Sequence, residues 1–162
     1  MKTGFIGAGK VGFSLGRLFA ENGIPLTGYY SRQRESAEEA ANFTGTHAYS
    51  DLCELVQDSD AIFLTVPDRT ITSVYLELRS FSLSGKQICH CSGALSAREA
   101  FPGLAETGAL GLSIHPLFPV SSRYDSYREL ADAFFCLEGD FEAVSAWKPL
   151  LERCGCTGQT IS

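Results

Sequence analysis

A glycine-rich turn near the amino terminus constrains the fold more than any other stretch of the chain. The turn reads Gly7-Ala8-Gly9-Lys10-Val11-Gly12 and follows the short apolar run Phe5-Ile6. Beyond it, apolar residues recur with helical spacing at Val11, Leu15 and Leu18. Strand, glycine turn and helix in this order are typical of a dinucleotide fingerprint, because the start of the helix offers unpaired backbone N–H groups to a pyrophosphate. The sequence therefore predicts a phosphate site at residues 7–12.

Each glycine of the turn has its own expected task. Gly7 allows a tight turn out of the strand, and Gly9 lacks a Cβ, so that the backbone can approach a pyrophosphate. Gly12 lets the helix pack close to the strand. The same glycines would also suit a turn in a doubly wound fold that binds no nucleotide, and this alternative stays open at this point.

Composition and charge narrow the class of protein. A chain of 162 residues can bury a sizeable core as one domain. A net charge of −6 argues against nucleic acid as the main partner, since a phosphate backbone binds a basic face. There is no apolar run of bilayer-spanning length and no visible signal peptide, so we expect no membrane partner and a cytoplasmic location.

Six cysteines raise the question of a metal site. The segments Cys89-His90-Cys91 and Cys154-Gly155-Cys156 have closer spacing than the Cys-x₂₋₄-Cys of most zinc sites. In a strand, residues 89 and 91 point to one face and residue 90 to the other. We therefore expect no metal ion and mostly buried, reduced thiols.

Apolar periodicity and turn residues indicate alternating strands and helices. The expected strands are 3–6, 26–30, 46–49, 60–66, 87–91, 110–114, 133–137 and, as strand or connector, 157–161. The expected helices are 10–22, 36–43, 51–56, 70–79, a short one with a Ser96/Glu99 capping box, and 141–153. This pattern predicts an α/β fold, a doubly wound, mostly parallel sheet of about seven to eight strands with helices on both faces (a Rossmann fold) and strand order 3-2-1-4-5. The long polar loop 118–128 is expected to be the most mobile segment.

The residues after the second strand indicate which dinucleotide binds. An NAD site usually has an acid about 20 residues past the glycines, bonded to the ribose 2′-hydroxyl. Here that stretch reads Tyr30-Ser31-Arg32-Gln33-Arg34, without a carboxylate before Glu35. A hydroxyl and two guanidinium groups, those of Arg32 and Arg34, suit a 2′-phosphate, so we expect NADP(H). In the alternative interpretation Ser31 caps the next helix and the arginines are solvated.

Further site residues are expected where other strands end at the same rim. Thr65, Val66, Pro67 and Asp68 follow the fourth strand and should border the nicotinamide half of the cofactor. A cap of the next helix is the more ordinary role for Asp68. The fifth strand similarly ends at Ser92 and Gly93.

Histidine and serine supply the candidate catalytic groups. His115 at the end of the sixth strand is the best proton donor, because imidazole titrates in a range suited to acid–base work. Ser92 could bond a polar atom of the substrate. Alternatively, the His115 ring is structural and bonds a neighbouring backbone carbonyl. His90 is expected in the core and His47 on the surface.

Five segments occur together in an order that resembles a known family. The chain resembles the Rossmann-like NAD(P)-binding family with a helical C-terminal domain of unknown function, which is related to pyrroline-5-carboxylate reductases, coenzyme F420-dependent NADP oxidoreductases and 6-phosphogluconate dehydrogenases. The resemblance extends over essentially the whole chain and is carried by Gly7-Ala8-Gly9-Lys10-Val11-Gly12, Tyr30-Ser31-Arg32, Thr65-Val66-Pro67-Asp68, His90-Cys91-Ser92-Gly93-Ala94 and Ser113-Ile114-His115-Pro116-Leu117.

The resemblance implies an NADP-dependent oxidoreductase that transfers a hydride between NADPH and a small-molecule substrate. Members of that family continue into a helical domain that closes the cleft and usually builds a homodimer. Since the sequence ends at Ser162, near the expected start of that domain, we expect residues 1–162 to be a single dinucleotide-binding domain without it. A non-catalytic module that binds the dinucleotide needs the same glycine turn. A methyltransferase using S-adenosylmethionine is disfavoured, because it usually has a carboxylate after the second strand.

Overall fold

Eight strands form a single sheet in a computed structural model that describes residues 1–162. The strands are β1 (Thr3–Ile6), β2 (Leu26–Tyr30), β3 (His47–Ala48), β4 (Ala61–Leu64), β5 (Gln87–His90), β6 (Leu110–Pro116), β7 (Phe134–Gly139) and β8 (Thr157–Thr160). Their spatial order is β3-β2-β1-β4-β5-β6-β7-β8, so the expected order 3-2-1-4-5 is confirmed. All neighbours are parallel except β6 and β7, which run antiparallel.

Seven helices connect these strands. They are α1 (Lys10–Glu21), α2 (Arg34–Thr44), α3 (Leu52–Asp58), α4 (Ile71–Leu78), α5 (Ala97–Ala100), α6 (Ser126–Leu130) and α7 (Phe141–Arg153). Two short 3-10 turns, Asp68–Thr70 and Leu104–Thr107, precede α4 and β6. No helix has both the length and the apolar character that a membrane span requires.

The sheet separates two hydrophobic cores. In β1, Phe5 belongs to a core of 25 buried residues and its neighbour Ile6 to a second core of 17. The same alternation occurs in β4, where Phe63 faces the first core and Ile62 the second. The first core packs α1 and α7 and the second packs α4, so the doubly wound architecture with helices on both faces is confirmed.

Helix α1 packs closely against the sheet because small residues face it. The hydroxyl of the buried Tyr29 on β2 donates a hydrogen bond of 2.6 Å to the carbonyl of Gly12. A Cβ on Gly16, one turn further along α1, would overlap that hydroxyl. The notch left by Gly16 therefore holds the ring that fixes α1 against β2.

Several boundaries differ from those expected. Strand β4 ends at Leu64 rather than Val66, although the Thr65 N–H still bonds the Ile6 carbonyl at 2.9 Å. Strand β6 continues to Pro116 because β7 pairs with its last residues, which the local sequence of β6 does not reveal. The Ser96/Glu99 capping box is present as expected.

The segment 118–128, expected as a long loop, is partly helical. Its last residues enter α6, which packs against α1. The side chain of Ser126 at the start of α6 accepts bonds from the backbone N–H groups of Ser121 at 3.2 Å and Ser122 at 3.0 Å. The first-turn serine thus orders the chain that leads into the helix.

All six cysteines are free thiols. Cys89, Cys154 and Cys156 are buried as expected, whereas Cys53, Cys91 and Cys136 are only partly buried.

Candidate functional site

A groove of about 380 Å³ follows the carboxyl ends of β1, β2 and β4. A second cavity of about 340 Å³ continues from it past α1 towards the end of β5. We call them the first groove and the second cavity. They share four lining residues, Gly9, Thr65, Val66 and Pro67. An elongated ligand can therefore lie across the sheet with its middle at the glycine turn.

The amino end of α1 has the features of an anion-binding site. Gly9 is the N-cap residue and has no side chain to satisfy the first backbone N–H groups, and no acidic residue lies in the first turn. Lys10 adds a positive charge at the same point. The unpaired N–H groups and the positive end of the helix dipole both favour a phosphate.

The three fingerprint glycines differ in what surrounds them. Gly7 has a φ of +97°, and a Cβ there would overlap the Thr65 carbonyl. A Cβ on Gly12 would come within 2.8 Å of the Gly7 carbonyl and 2.7 Å of the Thr65 hydroxyl. A Cβ on Gly9 meets no atom within 4 Å. Gly7 and Gly12 thus serve close packing, whereas the chain leaves the space above Gly9 open.

The carboxyl end of β2 places Ser31 and Arg32 in the first groove. The Arg32 guanidinium pairs with Glu77 of α4 at 3.2 Å, and both side chains are more than half exposed. The alternative in which Ser31 caps α2 does not hold, because Gln33 occupies the N-cap position and Ser31 Oγ accepts a bond from the Gln33 N–H at 3.3 Å.

Arg34 does not join Arg32 in the groove. Its guanidinium bonds Glu38, one turn along α2, at 2.9 Å, and Arg34 is absent from the groove lining. The helical geometry explains this, since residues four apart in a helix lie on one face.

The residues after β4 line both cavities. The Thr65 hydroxyl donates a hydrogen bond of 2.8 Å to the Gly7 carbonyl and so ties the two strand ends together. Asp68 lies in the second cavity, inside the 3-10 turn that precedes α4. Its expected role as the cap of α4 is wrong, because Thr70 is the N-cap residue of α4 and no side chain caps that helix.

His90, the last residue of β5, is buried as expected but supports the rim. Its Nδ1 accepts a bond from the Ser92 N–H at 3.1 Å, so that Nε2 carries the proton and donates to the Ser96 carbonyl at 3.3 Å. Burial lowers the pKa of His90. Ser92 itself lines the second cavity, and its Oγ accepts a bond from the Ala94 N–H at 3.0 Å.

His115 is half-buried beside the same rim. Its Nδ1 donates to the Cys91 carbonyl at 3.1 Å, which is the bond expected in the structural interpretation. Its Nε2 faces Gly93, where an added Cβ would lie 2.6 Å away, and makes no hydrogen bond within the chain. His115 lines neither cavity, but the backbone bond fixes the ring and leaves Nε2 without a hydrogen-bond partner, so the structural and the acid–base roles are compatible.

Several residues of the groove have no motif in the sequence. Leu52 and Val74 supply apolar surface, and Arg123 enters from the chain between β6 and α6. Val120 of the same segment lines the second cavity. Spacing could not indicate these residues, because they come from elements distant in sequence.

The comparisons with known proteins agree with this geometry. Residues 2–92 match the family model described as "NADP oxidoreductase coenzyme F420-dependent". No curated protein matches the chain.

Solved structures share the fold at low identity. A putative NADP oxidoreductase from Bacteroides fragilis has a TM-score of 0.80 and 19% identity, with 99% of this chain and 60% of that chain covered. An imine reductase from Bacillus cereus has a TM-score of 0.77 and 21% identity, with 99% of this chain and 54% of that chain covered. A 3-hydroxyisobutyrate dehydrogenase from Mycobacterium tuberculosis has a TM-score of 0.80 and 19% identity, with 98% of this chain and 53% of that chain covered. The chain thus spans between half and two thirds of the length of these structures.

The buried His90 predicts a pH dependence of stability. In the unfolded chain its imidazole takes up a proton as pH falls through about 6.5, whereas the folded chain resists this until lower pH. Because the unfolded state then binds more protons, the free energy of unfolding should decrease as pH falls below that value. Urea denaturation at a series of pH values should give a smaller decrease for His90→Gln than for the wild type. His47→Gln, at an exposed position, is the control. If the free energy of unfolding fell with pH by the same amount in His90→Gln and in the wild type, the stability change would not come from His90.

Proposed function

We propose that the chain, which belongs to the coenzyme F420-dependent NADP oxidoreductase family, binds NADP(H) across the first groove and the second cavity. In this proposal residues 1–162 form a single dinucleotide-binding domain. The oxidoreductase to which it belongs transfers a hydride between the nicotinamide and a small substrate. The hydride chemistry is the cofactor's own, and the protein supplies position and electrostatics.

The observation that carries the choice of NADP(H) is the charge at the end of β2. Ser31 and Arg32 line the groove there, and the first carboxylate after β2, that of Glu35, lies within the first turn of α2. The partner of Arg32 is Glu77, in an exposed pair of the kind that contributes about 0–1 kcal/mol. A 2′-phosphate can therefore replace that carboxylate as the partner of the guanidinium at little cost.

The remaining lining supports the position of each part of the dinucleotide. The pyrophosphate is proposed to bind the N–H groups of residues 9–12, above the open space at Gly9. The adenine is proposed to lie among Leu52, Val66 and Val74. The nicotinamide then enters the second cavity, where Asp68, Ser92 and Pro67 border it.

The reacting end would use Ser92 and His115. Ser92 is proposed to bond a polar atom of the substrate, and the missing side chain of Gly93 lets the His115 ring pack close to that strand end. A His115 ring protonated on both nitrogens keeps its Nδ1 bond to Cys91 and can donate the second proton from Nε2. We propose this as the source of the proton that accompanies hydride transfer.

The proposal also covers the substrate class, the oligomeric state and the cellular compartment. Imine reductases and a dehydrogenase share the fold, which is consistent with a small-molecule substrate. The family resemblance carried by the five sequence segments implies a homodimer for full-length members, and we propose the same assembly for the oxidoreductase. Six free thiols favour a reducing compartment such as the cytoplasm.

Cofactor preference tests the assignment at Arg32. NADPH should bind more tightly than NADH in a fluorescence titration. Arg32→Ala should weaken NADPH binding by about 1.5–3 kcal/mol, the scale of a hydrogen bond to a charged group, and leave NADH binding unchanged. Arg128→Ala removes an exposed arginine outside the groove and should change neither. Equal affinity of the wild type for the two dinucleotides would refute the assignment.

Gly9 separates ligand binding from folding. Because a Cβ at this position meets no atom of the chain within 4 Å, Gly9→Val should keep the melting temperature close to that of the wild type. The same side chain occupies the space proposed for the pyrophosphate, so binding of both NADPH and NADH should be lost. Gly7→Val, which forces a side chain against Thr65, should instead lower the melting temperature. A Gly9→Val protein that binds NADPH normally would place the phosphate site elsewhere.

The position of the nicotinamide can be tested without a substrate. Binding of NADP⁺ brings a cationic ring beside the second cavity, so the ¹⁵N signals of the His115 ring should shift in an NMR titration. His47 lies exposed at β3 and serves as the internal control. Unchanged His115 signals at saturating NADP⁺ would remove His115 from the proposed reacting end.

A further inference from the structure

The segment 118–125 between β6 and α6, here called the strap, touches both halves of the proposed cofactor site. Val120 lines the second cavity and Arg123 lines the first groove. Since Gly9 belongs to both linings, the strap passes beside the amino end of α1. It is fastened there by the Ser14 hydroxyl, which donates to the Ser122 carbonyl at 3.4 Å.

Arg123 is held in place by two contacts of its own and by the packing of its neighbour Tyr124. Its guanidinium lies 3.2 Å from Glu39 Oε2 on α2 and 5.3 Å from the centre of the Phe13 ring on α1. The neighbouring Tyr124 hydroxyl donates to the same Glu39 oxygen at 3.2 Å. The Tyr124 ring packs edge-on against Phe13 at 5.4 Å and Phe43 at 5.1 Å. Aromatic packing of the strap therefore sets where this guanidinium lies.

Arg123 and Arg32 both line the first groove but come from different elements. Arg32 follows β2 and is paired across to Glu77 of α4, whereas Arg123 is paired to Glu39 of α2. Glu39 lies one turn beyond Ser36, which lines the groove. The Arg123 side chain thus reaches the groove beside α2, the helix that follows Ser31 and Arg32 in the chain.

We propose that Arg123 is a second guanidinium for the 2′-phosphate of NADP(H) and therefore determines cofactor specificity together with Arg32. The inference rests on the proposed function. A phosphate monoester carries close to two negative charges near neutral pH, more than one arginine neutralises. The Glu39 pair is exposed, with 42% and 50% of the two side chains accessible, so the phosphate can take over the guanidinium at little cost. The pyrophosphate has its own donors at the amino end of α1, whereas the carboxylate that pairs with Arg123 is that of Glu39 on α2.

The experiment compares ligands that differ only in the 2′-phosphate. Affinities for NADPH, NADH, 2′,5′-ADP and 5′-AMP are measured by isothermal titration calorimetry for the wild type, Arg123→Gln and Arg128→Gln. Arg123→Gln should raise the Kd of NADPH and of 2′,5′-ADP by about 10-fold or more, and change those of NADH and 5′-AMP by less than about 2-fold. Arg128→Gln removes the same charge from α6 outside the groove and should match the wild type.

The other outcomes separate the inference from the proposed function. Equal weakening of NADPH and NADH by Arg123→Gln would assign the guanidinium to the pyrophosphate or to the fold and overturn the inference. If Arg123→Gln left all four Kd values unchanged while the wild type preferred NADPH, the inference would be overturned and the proposed function would stand. A wild type that binds neither dinucleotide, or both equally, would overturn the proposed function and the inference with it.

Discussion

The close approach of α1 to the ends of β1 and β4 is the constraint on which the site depends. It requires that Gly7 and Gly12 lack side chains, because the Thr65 carbonyl, the Thr65 hydroxyl and the Gly7 carbonyl fill the space where those side chains would stand. The Thr65 hydroxyl then bonds the Gly7 carbonyl at 2.8 Å. A helix held this close directs its unpaired N–H groups over the sheet edge rather than into solvent, and the cavities on both sides of α1 follow from that placement.

The fold and the middle of the site could be predicted from sequence because their signals are local. The glycine spacing, the apolar run of β4 and the Ser96/Glu99 capping box each lie within a few residues, and the strand order follows from right-handed crossovers. The antiparallel pairing of β6 with β7 was not predictable in this way, since it depends on where a distant strand returns. The same holds for Arg123, which reaches the groove only because the strap packs on Phe13 and Phe43.

Two polar side chains whose local sequence favours a helix-capping role do not cap a helix in the structure. Ser31 precedes a helix and carries a capping side chain, but α2 begins at Arg34, and this leaves Ser31 in the groove. Asp68 precedes α4 similarly, but an intervening 3-10 turn moves the helix start to Ile71. In both cases a residue that would satisfy a helix end in an isolated peptide is left facing a cavity. A polar side chain released from a capping role at a strand end is thus a stronger candidate for ligand contact than its local sequence indicates.

The two ends of the site differ in how they are built. At the β2 end, the charged groups are exposed and paired with carboxylates that a phosphate can replace, so this end can select a ligand by its charge. At the β5 and β6 ends, His90 and His115 are held by backbone groups at 3.1–3.3 Å, and their orientation does not depend on a ligand. Such fixed groups suit chemistry, because a proton donor that needs no reorganisation at the moment of reaction lowers the barrier. The glycine turn lies between these two ends, where the part that all such dinucleotides share is proposed to bind.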